Sequence, residues 1–136
     1  PAFDWECRGF LVNEGPAVVT HGNRLFISYS ASATDENYCM GLLWIDKDAD
    51  MTKVENWHKS PEPVFTTSYE NRQYGPGHNS FTQTPEGEDV LVYHARNYTE
   101  IEGDPLYDPN RHTRLKTVCW KEDGMPDFGI PPADTL

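Results

Sequence analysis

The sequence predicts an all-β chain made of blades of a β-propeller, and three observations predict it. Helical periodicity is nearly absent from the 136 residues. Short runs rich in β-branched and aromatic residues recur, each bounded by Gly, Pro, Asn or Asp. The order of these runs in the first half of the chain repeats in the second.

Taken along the chain, the expected strands are Ala17–His21, Arg24–Ser30, Tyr38–Ile45, Ser80–Thr84, Asp89–Ala95 and Arg114–Trp120. His21-Gly22-Asn23-Arg24 joins the first two as a hairpin, and Gln83-Thr84-Pro85-Glu86-Gly87-Glu88 joins the fourth to the fifth. Gly15-Pro16 opens the first repeat, whose second strand ends Phe26-Ile27-Ser28-Tyr29-Ser30-Ala31. About sixty residues later Gly75-Pro76 opens the second, whose corresponding strand ends Val90-Leu91-Val92-Tyr93-His94-Ala95. A third strand then ends near Trp44 or Trp120, and Asp46 to Glu62 would carry a fourth, outer strand and the crossing to the next blade. Repeats of about 40–50 residues with several strands each mark propeller blades. The repeats here, about residues 12–66 and 72–130, run slightly long. From the pattern alone, two unrelated hairpins in a β-sandwich are the alternative. Two blades cannot close a propeller, and repeated units need neighbours to cover their apolar faces. The chain is therefore expected to self-associate or to pair with missing N-terminal blades.

Composition narrows the partners. Eleven basic residues against 22 acidic ones give a formal charge of −11, which repels phosphate backbones and argues against nucleic acid. No apolar run approaches the length needed to span a bilayer, so a membrane partner is not expected. The start Pro1-Ala2-Phe3-Asp4-Trp5 has neither an initiator Met nor a signal pattern and reads as the middle of something longer, which leaves localisation unassigned. Cys7, Cys39 and Cys119 are odd in number and never in a CxxC pair, against both a disulfide framework and a zinc site. Cys39 and Cys119, among apolar residues, read as small buried thiols.

In a propeller the innermost strands line the central channel, so residues at their starts converge on one pocket. Glu14 and His78 occupy near-equivalent places at the start of the two repeats and are expected in one site. The stiff Gly15-Pro16 turn after Glu14 gives its side chain a fixed direction. A carboxyl in a partly dry pocket can donate a proton near neutral pH; the plainer reading of Glu14 is a solvated turn residue. Among aromatics in loop-like segments (Trp5, Tyr69, Tyr74, Tyr98 and Tyr107), Tyr74 is the one placed near the pocket, where sugar rings would stack.

Val12-Asn13-Glu14-Gly15-Pro16-Ala17, Phe26-Ile27-Ser28-Tyr29-Ser30-Ala31 and Tyr74-Gly75-Pro76-Gly77-His78-Asn79-Ser80-Phe81 closely resemble glycoside hydrolase family 43. So do Asn110-Arg111-His112-Thr113-Arg114, Val118-Cys119-Trp120 and Gly124-Met125-Pro126, in the right order. The resemblance implies a five-bladed propeller of which this chain supplies about two blades. It also implies inverting hydrolysis of arabinofuranosides, xylosides or arabinan, with α-L-arabinofuranosidase favoured over β-xylosidase. By the same resemblance Glu14 matches the general acid. His78 matches a channel-axis histidine beside a water-bound cation, often calcium (Ca2+). Arg111 matches an arginine that contacts the sugar and the acid, although Arg114 lies close enough to be the one pointing inward.

An inverting glycosidase also needs a second carboxylate to activate water. The family's base aspartate and its pKa-tuning aspartate both belong upstream of Pro1, and no Asp here has a matching context. Asp46, Asp48 and Asp50 lack the Gly and terminal Glu of an EF-hand and read as a solvated turn. The isolated chain is thus expected to be inactive. Its rival reading is a non-catalytic carbohydrate-binding or assembly module.

Overall fold

The computed structural model describes residues 1–135. Its strands are β1 (Asn13–His21), β2 (Arg24–Ala31), β3 (Cys39–Asp46), β4 (His58–Lys59), β5 (Tyr74–Gln83), β6 (Asp89–Arg96), β7 (His112–Thr117), β8 (Cys119–Trp120) and β9 (Pro126–Asp127). They form an antiparallel sheet β1-β2-β3-β4, a second β5-β6-β7, and a small ribbon β8-β9. The two larger sheets are two propeller blades, as the repeat predicts, and β5 packs against β1 and β2. The fourth strand of the first blade is short, pairing Leu43 with Lys59 and Trp44 with His58.

Each inner hairpin follows from local chemistry. His21 pairs with Arg24 around Gly22-Asn23, and Gly22 has φ +55°, the left-handed backbone a two-residue hairpin needs at its first central position. Strand β6 alternates in burial, with Leu91, Tyr93 and Ala95 turned inward. Those three join Val19, Phe26, Met40, Leu42, Phe65, Val118 and Phe128 in a core between the two sheets. Packed against it are Trp44 and Trp120, the tryptophans expected at the blade ends.

The structure corrects several expectations. Gly15-Pro16 and Gly75-Pro76 do not open strands; they lie inside β1 and β5. The register slips by one residue between Glu14 and Ala17, and twice in β5, between Tyr74 and Gly77 and between Gly77 and Ser80. These are β-bulges, so both inner strands reach several residues further than the alternation implies. The expected strand Arg114–Trp120 is broken into β7 and β8 at Val118, whose amide turns to the Asp89 carbonyl at 2.8 Å. Cys119 is exposed; only Cys39 of that pair is buried, and burial pushes its thiol up to about 12. Trp5 is not a loop aromatic in solvent but is 8% exposed, packed on Tyr29 and donating its indole N–H to the Pro61 carbonyl at 2.8 Å.

Beside Trp5 the fully buried Glu6 is held by five donors. The Ala2 and Phe3 amides reach one carboxylate oxygen; Tyr29 (2.7 Å), Asn13 (3.2 Å) and Lys59 (2.7 Å) reach the other. This cluster ties the segment before β1 to β2 and β4.

Candidate active site

Glu14 sits on β1 opposite Ser30, immediately before the bulge at Gly15, whose φ is +59°. A Cβ at position 15 would come within 3.2 Å of the His78 ring, so the glycine lets the histidine of the second blade lie across the first. His78 holds an unusual left-handed backbone (φ +45°), anchored by its amide, which donates to Ser30 Oγ at 2.7 Å. The two bulges thus bring Glu14 and His78 together: Nδ1 of His78 is 3.8 Å from Glu14 Oε1. The Tyr38 hydroxyl donates to that same Oε1 at 2.7 Å and lies 3.4 Å from His78 Nδ1. The Glu14 and His78 side chains keep 38% and 55% of their surface open to the cleft, so both are available to a ligand.

The cleft, about 660 Å³, is walled by Glu14, His78, His94, Tyr107, Asp108 and Arg111 among others. Arg111 is positioned through its guanidinium, which donates to the Leu106 carbonyl at 3.1 Å. Arg114 is engaged elsewhere, with Asp134 and Asn97, so Arg111 is the arginine on the cleft wall. Tyr74 is not brought to this cleft; it packs edge-to-face on Tyr69, ring centroids 5.6 Å apart.

Three residues that matter here escaped sequence reasoning. Tyr38 and His94 fall within expected strands, with no motif to single them out. Their rings stack nearly parallel at 5.6 Å. Burial, followed by the charges of Arg111, His78 and Arg96, lowers His94 to about 4, so it is neutral at neutral pH. Arg96 is the third. Its buried guanidinium donates to Asp108 Oδ1 at 2.9 Å, to the Pro105 carbonyl at 2.6 Å and to the Thr34 carbonyl. It clamps the loop that carries Tyr107, Asp108 and Arg111. The one signal was an arginine ending an apolar strand.

The second acid of the cleft, Asp108, is fully engaged: besides Arg96 it accepts from the Tyr98 hydroxyl at 2.8 Å and the Asn110 amide at 3.0 Å. Its carboxyl lies below the usual range, because these donors outweigh the upward push of desolvation. Asp46 ends β3 and Asp48 and Asp50 follow it, all three exposed. Among the described residues no three His, Cys, Asp or Glu side chains converge as metal ligands.

The two blades thus carry an open carboxylate, a histidine and an arginine on the wall of one cleft. The sequence model of the glycosyl hydrolases family 43 matches residues 2–126, and the chain belongs to that family. It is 58% identical over 135 residues to an extracellular exo-α-(1→5)-L-arabinofuranosidase of Streptomyces avermitilis. It is 53% identical over the same length to an α-L-arabinofuranosidase of Humicola insolens. Each match covers 98% of this chain and 28% of the relative, so the chain spans under a third of the length of these proteins. The crystal structure of an α-L-arabinofuranosidase from Lactobacillus brevis superposes on the whole chain with a TM-score of 0.96 at 54% identity, using 42% of that structure. That share is close to two blades of five.

Proposed function

We propose that this chain supplies the general acid of an α-L-arabinofuranosidase, that Glu14 is that acid, and that residues 12–66 and 72–130 are two blades of its catalytic propeller. The observation that carries the reading is the Glu14 carboxyl on the cleft wall, aimed by a left-handed bulge and held beside His78 in the cleft that Arg111 also lines. The named relatives point to arabinofuranosides as the substrate class, with xylosides second, as the family resemblance implies.

In this reading Glu14 gives its proton to the departing glycosidic oxygen as the bond to the anomeric carbon breaks, while a second carboxylate draws a proton from water on the opposite face and configuration inverts. Asp108 is occupied by Arg96 and Tyr98, so the base is expected from outside these 136 residues, and the chain alone is expected to be inactive. Arg111 and His78 bind sugar hydroxyls. Tyr74 falls outside that set because it packs on Tyr69. A calcium ion prefers oxygen ligands, so His78 would hold it through water, and its charge would orient sugar hydroxyls.

The test is leaving-group dependence in the full-length protein that carries this sequence. An acid that protonates the departing oxygen matters most for a poor leaving group. Glu14→Ala is expected to slow hydrolysis of alkyl and sugar arabinosides by roughly 10²–10⁴-fold, and of dinitrophenyl arabinoside far less. Equal losses on both in a well-folded variant would remove Glu14 from the role, and no turnover at all in the parent would favour a non-catalytic binding module.

A further inference from the structure

We propose that Tyr38 is the positioning residue of Glu14, fixing which of its two oxygens carries the transferable proton. This rests on the reading of Glu14 as general acid and adds to it a partner on the opposite side of the cleft wall.

Tyr38 is fully buried, and its ring has little freedom. One contact is the parallel stack on His94 of β6. Another is Gly77 of β5: a Cβ there would meet the Tyr38 ring carbons at 2.5 and 2.8 Å, closer than any real contact, so only glycine leaves space for the ring. Tyr38 itself leads into β3 of the first blade. The second blade therefore holds the ring, and the ring holds the first blade's carboxylate. Burial, and then the adjoining Glu14, push the phenol well above its ordinary range, so it remains protonated and a donor throughout the working pH range.

A phenol has one proton to give, and here it goes to Glu14 Oε1 at 2.7 Å. His78 Nδ1 lies further off, 3.4 Å from the same hydroxyl oxygen. With Oε1 occupied as an acceptor, Oε2 is left to bear the proton passed to the glycosidic oxygen. Without the hydroxyl, the carboxyl can rotate and its proton can sit on either oxygen.

The experiment is a double-mutant cycle in the full-length protein, with alkyl and dinitrophenyl arabinosides as the two probes. Tyr38→Phe is expected to lower kcat on the alkyl arabinoside by roughly tenfold or more, the scale of one hydrogen bond to a charged group, with little change on the dinitrophenyl substrate or in KM. In a Glu14→Ala background the same change is expected to cost nothing further, because the residue it acts through is gone. A loss uniform across leaving groups, a change confined to KM, unaltered kinetics, or an undiminished loss in the Glu14→Ala background would each overturn the proposal. If Glu14→Ala alone lacks leaving-group dependence, the parent reading falls and takes this one with it. If Glu14→Ala shows the dependence and Tyr38→Phe does not, only this inference falls. Should Tyr38→Phe fail to fold, Tyr38→3-fluorotyrosine keeps ring and hydroxyl while strengthening the donor. It is expected to move the alkaline limb of the pH–rate profile toward lower pH, and a superimposable profile would overturn the proposal.

Discussion

Glu6 and Gly15 show two ways in which a single residue sets the local structure. Burial pushes the Glu6 carboxyl up, but the Ala2 amide, Lys59, Tyr29 and the Phe3 amide together outweigh it and hold the group at about 2. A folded-state value depressed from 4.5 means stability that is complete above about pH 4.5 and is lost as pH falls through the window from 4.5 toward 2. The shift corresponds to a contribution on the order of 3 kcal/mol. Urea unfolding of Glu6→Gln against the parent is expected to show a gap at pH 7 that closes by pH 2–3. At Gly15 the φ of +59° and the His78 ring at 3.2 Å act together. Gly15→Ala is expected to cost about 1–2 kcal/mol for the left-handed backbone alone. It is also expected to lower activity, by displacing His78 from Glu14, more than that stability loss explains.

At the scale of elements, the strands were legible because their burial follows side-chain chemistry: Phe26 in β2, and Leu91 and Tyr93 in β6, fall inward as alternation requires. The pairing of Glu14 with His78 was legible too, because repeated units place equivalent positions at one axis. The bulges were not, since Gly-Pro reads as a boundary and nothing in a period-of-two pattern distinguishes an end from an inserted residue. Nor were Tyr38, His94 and Arg96, whose roles depend on contacts between blades and with a loop far along the chain. The packing of Tyr74 on Tyr69 was hidden for a similar reason: an aromatic before Gly-Pro looks free until its neighbour is placed. The Arg96 clamp makes a prediction at this scale. Its guanidinium is 2% exposed and satisfied by Asp108 and two carbonyls, so Arg96→Ala removes the bonds that tie the loop to β6 and is expected to lower the melting temperature. Hydrogen exchange is expected to rise across residues 98–111 with β2 and β3 unchanged; equal exchange throughout would count against the clamp.

For the molecule as a whole, the outcome turns on two blades that share one core yet leave strand edges open. The inner strand β1 and the outer strands β4 and β7 each lie at a sheet edge, with unpaired backbone groups on one side. Sedimentation of the isolated chain is expected to show association that grows with concentration, despite the charge of −11. A sharp monomer with cooperative unfolding at high concentration would contradict this. The same preparation is expected to give no turnover of aryl arabinofuranosides, and activity abolished by Glu14→Gln would place a working base within these residues.

At the level of the gene, the slip in β1 has a consequence that no substitution reproduces. Between Glu14 and Ala17 the strand carries one residue more than its partner. An in-frame loss of one codon there would leave Glu14 opposite Ser30 and every pairing beyond Ala17 intact, but as a regular ladder without the bulge whose left-handed Gly15 aims the carboxyl beside His78. The reading frame, the strand pairing and the carboxylate would all survive, and what would be lost is the local backbone that directs the acid into its cleft.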